Sequence, residues 1–425
     1  MRIGIIGAGI TGMSAALRLA GSGHHVEIFQ REAGVGGLIA TFDLDGTRTE
    51  HFYHFLCATD TGYFTLCREL GIESRIRFVR PQTGFYYEGR RFGFTSPLDL
   101  LRFTPIPLSQ RIRFGLFALE AQRRTEWAQL DEITARPWLI DRLGQKAYDV
   151  SWEPLLTLKF GVHHDRISAA WVWHRIHRVI RSKGRMGYLE GGTGVLLDTL
   201  YRALEARGVV IHAGRPVAGI LADGGRVDGL RLADGSAYSC DRVLSTIPLP
   251  LLANLLPREW AEYAAGLKDV QYIGVACLSL KLKRRVSPYF WLNVHDARVP
   301  FNGIIEYTNL NPMAGEHIAY VPYYVPTDHP VYRMSDDALI QETWKAIRLI
   351  APHLVDDDLV ASHVARTPFA QAICTTHFLR KVPTSCTPIR GLHLLDSVLL
   401  YPEDRTQSGS ILKAFQCAEE MAAHD

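Results

Sequence analysis

The chain carries little net charge for its length. Its 425 residues hold 47 Lys and Arg against 44 Asp and Glu, a formal charge of +3. That excess is too small to favour nucleic acid as a partner. No run of eighteen apolar residues occurs, so no membrane-crossing helix is expected. The first apolar run starts at residue 2 or 3, which leaves no space for a signal peptide and makes a cytoplasmic location the default. Cysteine is sparse and scattered, at 57, 67, 240, 277, 374, 386 and 417, with no C-x-x-C. Reduced, structural thiols are therefore expected. His163, His164, His174 and His177 lie close together in sequence, but no carboxylate stands at a matching spacing, and no metal site is expected.

Hydrophobic residues make up 47% and charged ones 21%, the balance of an ordinary globular protein with room for two or three domains. The chain is organised around residues 3–41. Residues 3–6 are a short apolar run suited to a buried strand, and Gly7, Gly9 and Gly12 follow at the G-x-G-x-x-G spacing. Residues 13–20 read as a helix and 26–29 as a second strand. This order predicts a dinucleotide-binding unit. The first glycine permits the tight turn, the second admits a pyrophosphate to the backbone, and the third lets helix and strand pack closely. The helix N-terminus then offers free N–H groups to the phosphates, and Thr11 adds a hydroxyl. The acid usual at the end of the second strand is missing. Gln30 stands there, able to accept a hydrogen bond from a ribose hydroxyl but uncharged; Glu32 comes two residues late.

After the second strand comes a glycine-rich loop rather than a helix: Arg31, Gly34, Gly36, Gly37 and Thr41. The pattern R-x-x-x-x-G-G-x-x-x-T resembles the FAD-binding half of the flavin amine oxidase superfamily, which includes monoamine oxidases, protoporphyrinogen oxidases, phytoene desaturases and UDP-galactopyranose mutases. The resemblance implies non-covalent FAD held by Gly7, Gly9, Thr11, Gly12, Gln30, Arg31, Gly36 and Gly37. It further implies a backbone contact at Val217, a ribityl contact at Asp396, and Gln407 and Ser408 placing the last helix beside the flavin pyrimidine ring. Cys374 and Cys386 are the alternatives for a covalent link. Leu395 replaces the glycine usual before the acid.

The whole length is similar to a bacterial group of protoporphyrinogen-oxidase-like FAD proteins. The stretches TGFYYEG (83–89), TSPLDLLRF (95–103), SWEPLL (151–156), GYLEGG (187–192), IEYTN (305–309) and YPEDR (401–405) carry the likeness. Relatives usually have Asn at 396 and Gly-Thr-Asn where this chain has Thr406, Gln407 and Ser408.

The fold class expected is α/β: a Rossmann-like FAD-binding domain with a discontinuous α+β substrate domain of antiparallel sheet plus helices. The FAD domain would take 1–80, 185–270 and 385–425; the substrate domain would take 81–184 and 271–384. Residues 84–94 read as a hairpin, 335–350 and the nearby 356–360 as exposed helices. Phe290, Trp291, Phe301, Tyr307, Tyr320, Tyr323 and Tyr324 are dense enough to form an apolar substrate pocket, or simply a core. The basic helix near 108–124 suits a membrane surface, or a core face with a solvated edge. In the resembling families residues 45–57 pass close to the flavin ring. His51, His54, Glu306 and Tyr324 are the polar candidates for catalysis on a small-molecule substrate. Three functions are compatible with this reading: hydride abstraction from C–N or C–C to flavin; reduction or mutase-like isomerisation from reduced flavin; and a non-catalytic flavoprotein partner.

Overall fold

A computed structural model describes residues 1–313 and 315–423. The apolar run after Met1 becomes the strand Arg2–Ile6, the centre of a five-stranded sheet. Its neighbours in order are Val210–His212 and His25–Phe29 on one side, and Arg242–Ser245 and Leu392–Leu394 on the other, all parallel. Ile3, Ile5, Val26, Ile28, Val243 and Leu244 are almost wholly buried, as a sheet covered on both faces requires. The helices Ile10–Gly21 and Gln407–Ala423 pack together against it. The chain leaves Arg2–Ile6 toward His25–Phe29 and later returns on the opposite side. A switch point, and so a binding crevice, opens at the carboxyl end of the first strand.

A seven-stranded sheet forms the second half. Its order is Leu359–Ala372, Tyr272–Leu282, His317–Val325, Gly303–Glu306, Trp291–His295, Thr83–Tyr87 and Arg90–Gly93. The hairpin expected at 84–94 is present, and its turn places both Glu88 (φ 45°) and Gly89 (φ 79°) in the left-handed region that two-residue hairpins favour. Two expectations need correcting. The sheet is not purely antiparallel, because Trp291–His295 pairs parallel with Thr83–Tyr87. That hairpin arrives from a separate passage of chain, so no tight turn dictates its direction. Residues 356–360 are not a helix either. A short turn, Asp356–Asp358, leads into the 14-residue edge strand Leu359–Ala372. Pro368 masked that strand in the sequence. It sits where the pairing register slips, at an edge, which is where a strand tolerates proline. The helix Asp336–Ile350 is half-buried, since Leu339, Trp344, Ile347 and Ile350 face the sheet.

Between hairpin and return lies a helical body: Leu108–Arg123, Ala135–Leu143, Gln145–Ser151, Glu153–Phe160 and Ala169–Arg181. Trp138, Tyr148, Phe160 and Trp171 fill its centre. His295 ties the seven-stranded sheet to it through Nδ1 and the Val150 carbonyl, 2.5 Å away. Burial pushes His295 down to about 4, with the Val150 carbonyl pulling the other way. The folded state therefore refuses a proton that the unfolded chain accepts near 6.5, and this stability is lost as pH falls from 6.5 through 4. A His295→Asn protein should be less stable than wild type at pH 7, and the gap should shrink by pH 4. Urea midpoints across that range measure it; a constant gap refutes the assignment.

No helix among the described residues is long and apolar enough to cross a membrane.

Candidate functional site

The glycine turn sits at the switch point. Gly7 has φ +105°, and its N–H bonds the Phe29 carbonyl at 2.9 Å. A methyl group on Gly12 would stand 2.1 Å from the Gly7 oxygen, whereas one on Gly9 would meet nothing within 4 Å. The turn is thus closed on its inner side and open at Gly9. The helix Ile10–Gly21 begins there with no side-chain cap. Its first-turn N–H groups lack intrahelical acceptors, and Thr11 among them is half-buried. The second glycine loop lies alongside: Gly36 N–H bonds the Ala8 carbonyl at 2.8 Å, and Gly37 approaches Gly9.

Gln30 does work the sequence did not suggest. Its Oε1 accepts from the Ala8 N–H at 2.9 Å, so the side chain braces the turn and leaves its NH2 as a donor. Arg31 points to solvent and pairs with Glu32. Val217 opens the strand Val217–Asp223, paired with Leu232. Asp396 is enclosed. Its carboxylate accepts from Val398 N–H (2.8 Å), Tyr272 OH (2.9 Å) and Leu249 N–H (3.2 Å), and burial raises its pKa. Ser408 Oγ accepts from Gly62 N–H at 3.0 Å, where two helices approach so closely that a Gly62 methyl would clash. Gln407 begins the last helix, and its buried Oε1 has no hydrogen-bond partner. Thr406 caps that helix through Gly409 N–H at 2.9 Å; a threonine just before a helical run is the signal that was available for it.

The seven-stranded sheet separates the aromatics by face. Phe301 and Tyr323 pack under the helix Asp336–Ile350. Phe290, Trp291, Tyr307, Tyr320 and Tyr324 lie on the opposite face with Phe52, Tyr53 and Phe55, from the segment after the glycine loop. Tyr53, Trp291 and Tyr324 stay half-buried, with Tyr53 set edge-on to Trp291 at 5.4 Å.

The four catalytic candidates do not share one set of partners. Tyr324 OH accepts from Arg405 at 3.0 Å, and Lys159 sits over its ring. His54 Nδ1 lies 3.0 Å from Glu50, a buried carboxylate that also accepts from Tyr307 OH and Thr193 N–H. This carboxylate–imidazole pair is suited to proton transfer, and the orienting Glu50 was missed because nothing in sequence marks it. His51 pairs with His363 at 3.2 Å and stacks on Phe42. Burial and the facing His363 lower its pKa. Glu306 is fully buried and turned to its own scaffold: its two oxygens accept from Val286 N–H (3.0 Å) and Ser287 N–H (2.8 Å). Burial raises it to about 7 against the pull of those two donors. Folding thus gains from its proton below 4.5, and that gain is lost as pH rises through 7. Glu306→Gln sets an NH2 against a backbone N–H and is expected to cost about 1–3 kcal/mol while leaving flavin content unchanged. Denaturation and the visible spectrum of the variant check both halves.

A parallel sheet with a glycine turn open at Gly9 at its switch point, joined to a second sheet that gathers aromatics on one face, is the architecture of a nucleotide-binding α/β protein with a second domain. Residues 10–394 match the model of the flavin containing amine oxidoreductases, and the chain belongs to that family. It is 22% identical to the zeta-carotene desaturase of Synechocystis sp., over all of this chain and 98% of that one. A solved candidate protoporphyrinogen oxidase from Exiguobacterium sp. superposes with a TM-score of 0.77 at 18% identity, covering 100% of this chain and 99% of that one. Reduced UDP-galactopyranose mutase gives 0.78 at 17% identity, with 100% and 97% covered. A flavin is the cofactor the family implies, and the open side of Gly9 and the unpartnered Gln407 Oε1 fit one.

Proposed function

We propose that the chain is an FAD-dependent dehydrogenase that removes a hydride from a C–N or C–C unit of a small or lipid-like substrate. The observation that carries this is the half-buried aromatic cluster of Trp291 and Tyr324, on the seven-stranded sheet, with Tyr53 from the segment after the glycine loop. FAD, bound without a covalent link, supplies the hydride acceptor. The chain supplies the phosphate cradle at Gly7, Gly9 and Gly12, the turn brace at Gln30, and an apolar wall for the substrate. The His54–Glu50 pair is the proton acceptor in this scheme, with Tyr324 holding substrate.

The exposed face of the helix Leu108–Arg123 supports a lipid-surface contact. Leu108, Ile112, Leu116 and Leu119 are spaced along one side and all exposed, while Phe117 and Ala121 on the other side are buried. Leu98 and Leu101 on the adjoining helix Pro97–Arg102 are exposed too, and Arg102, Arg113 and Arg123 surround the stripe. An apolar stripe with basic flanks matches an anionic bilayer surface. Flotation with phosphatidylglycerol vesicles, and its loss in Leu116→Glu, is the expected result.

The test of the enzymatic reading is the visible spectrum of purified protein kept anaerobic. A flavin spectrum bleached by an amine, polyprenoid or sugar derivative, and not by NADPH or NADH, supports dehydrogenation. Rapid bleaching by a nicotinamide turns the reading toward reduction or isomerisation. Protein that stays colourless with added FAD overturns it in favour of a non-catalytic role.

A further inference from the structure

Glu50 is buried at the end of the strand Thr47–Glu50, and three other segments of chain converge on it. Its Oε2 lies 3.0 Å from His54 Nδ1. Its Oε1 accepts from the Tyr307 hydroxyl and from the Thr193 N–H, each at 3.3 Å. Its main chain is held as well. The Tyr320 hydroxyl donates to the Glu50 carbonyl at 3.0 Å and accepts from the Glu50 N–H at 3.3 Å, with Thr49 Oγ1 2.6 Å away. Tyr307 follows the strand Gly303–Glu306 and Tyr320 lies in His317–Val325, so both reach Glu50 from the seven-stranded sheet.

The direction of the Tyr307 proton is fixed. Asn311 Nδ2 donates to the same hydroxyl at 3.3 Å, which leaves the phenol O–H to point at Glu50. Burial, with the Glu50 charge beside it, pushes the phenol well above its ordinary value, so that proton stays in place. A carboxylate only accepts, so the His54 nitrogen that faces Glu50 must carry a hydrogen. The imidazole is then the Nδ1–H form, with Nε2 bare. A phenylalanine at 307 would fill the same buried space without a polar atom, and a buried hydroxyl is costly unless it is bonded. Among the described residues this one donates to Glu50 alone.

We propose that Tyr307 is a positioning residue for the proton acceptor His54. Its hydroxyl holds Glu50 by Oε1, which turns Oε2 to His54 and keeps the Nε2 lone pair free for substrate. The inference rests on the enzymatic reading above and supplies what holds its base in one tautomer. The dehydrogenation proposed there releases one hydride, to the flavin, and one proton. The proton goes to Nε2, and the imidazolium so formed keeps its Nδ1–H on the Glu50 carboxylate. His54 and Glu50 follow the glycine loop, whereas Tyr307 belongs to the seven-stranded sheet. The two halves of the chain must therefore be seated together before the base is set.

The test is a long-range 1H–15N correlation spectrum of the purified protein labelled with 15N-histidine, at about pH 8, above the ordinary histidine range. The signals lost in His54→Gln assign the residue. Wild type should show the Nδ1–H tautomer. Histidine free in water prefers Nε2–H, so the signal is diagnostic. In Tyr307→Phe most of the Nδ1–H population should pass to Nε2–H. Tyr320→Phe is the control: it loosens the same strand, so its thermal midpoint should fall, yet His54 should stay Nδ1–H. If Tyr307→Phe does not fold, Asn311→Asp takes its place. That isostere accepts where Asn311 donates, turns the phenol proton away from Glu50, and should produce the same change. An Nε2–H tautomer in wild type overturns the proposal, as does an unchanged His54 in the variant. An equal change in Tyr320→Phe also overturns it, because the effect is then one of general loosening. Flavin bleaching is recorded separately. A donor that bleaches the wild-type flavin, with His54 unchanged in Tyr307→Phe, keeps the enzymatic reading and ends this role for Tyr307; a Tyr307-dependent tautomer in a protein whose flavin no donor bleaches does the reverse.

Discussion

A Gly12→Ala protein is expected to purify colourless, with a lowered unfolding midpoint. The added methyl would lie 2.1 Å from the Gly7 oxygen, and 3.0 Å from the Thr246 hydroxyl. That hydroxyl is itself bonded to the Ile6 and Gly7 carbonyls, so the obstacle is backbone pinned on both sides. No side-chain rotation relieves the contact; the helix must move away from the strand, and the phosphate cradle opens with it. Overpacking of this kind costs about 1–3 kcal/mol or more. Gly9→Ala separates folding from binding. Its methyl meets no protein atom within 4 Å, so the unfolding midpoint should match wild type. The space it fills is the one assigned to the pyrophosphate, and FAD affinity should fall by about tenfold or more, ~1.4 kcal/mol. Equilibrium dialysis and denaturation of the two variants give four numbers. Equal flavin retention in Gly9→Ala and wild type would remove the phosphate site from this turn.

The same contrast shows which parts of the site were legible in sequence. The glycine turn was, because backbone sterics demand glycine at Gly7 and Gly12 and the open Gly9 completes the spacing, and residues 2–29 folded as that spacing demanded. The hairpin at 83–93 was, because Glu88-Gly89 dictates its own turn. The strand Leu359–Ala372 was not, since a local rule, the exclusion of proline from strands, is relaxed at a bulged edge that only tertiary pairing creates. Side-chain roles were the least legible. Gln30 looked like a weakened ribose ligand and turned out to brace Ala8. Glu306 looked like an acid in an aromatic strand and is bound to two backbone N–H groups twenty residues away. Lys159 carries no signal at all: in sequence it is one lysine in a helix, and its burial depends on the helical body meeting the strand His317–Val325. Polar partners from distant segments are set by packing, and packing is not written in spacing.

Asp60→Ala is expected to destabilise the protein by about 3–5 kcal/mol, the largest single effect on stability, because it strands a buried charge. Asp60 precedes the helix Thr61–Glu69 on the nucleotide-binding side, and Arg178 comes from the helix Ala169–Arg181 of the helical body. The guanidinium donates to both carboxylate oxygens, at 2.9 and 3.1 Å, and the two side chains are 17% and 6% exposed. Asp60 also accepts from Cys57 N–H at 2.8 Å, which holds the approach to the helix. Without the carboxylate, Arg178 stays under the Phe55 ring with its Nε already unpartnered. The pair's net worth is a different quantity from the cost of breaking it. Removing both charges in Asp60→Ala/Arg178→Met restores an apolar contact and should recover more than half of the loss, since a buried pair often does no better than its hydrophobic replacement. Denaturant midpoints for the two single variants and the double variant complete the cycle. A double variant as unstable as the sum of the singles would mean that the bridge contributes nothing by pairing, and that each residue acts through its other contacts. A single-variant cost below 1 kcal/mol would mean that water reaches Arg178, and that the two bodies are held together by the apolar contacts around Phe55 alone.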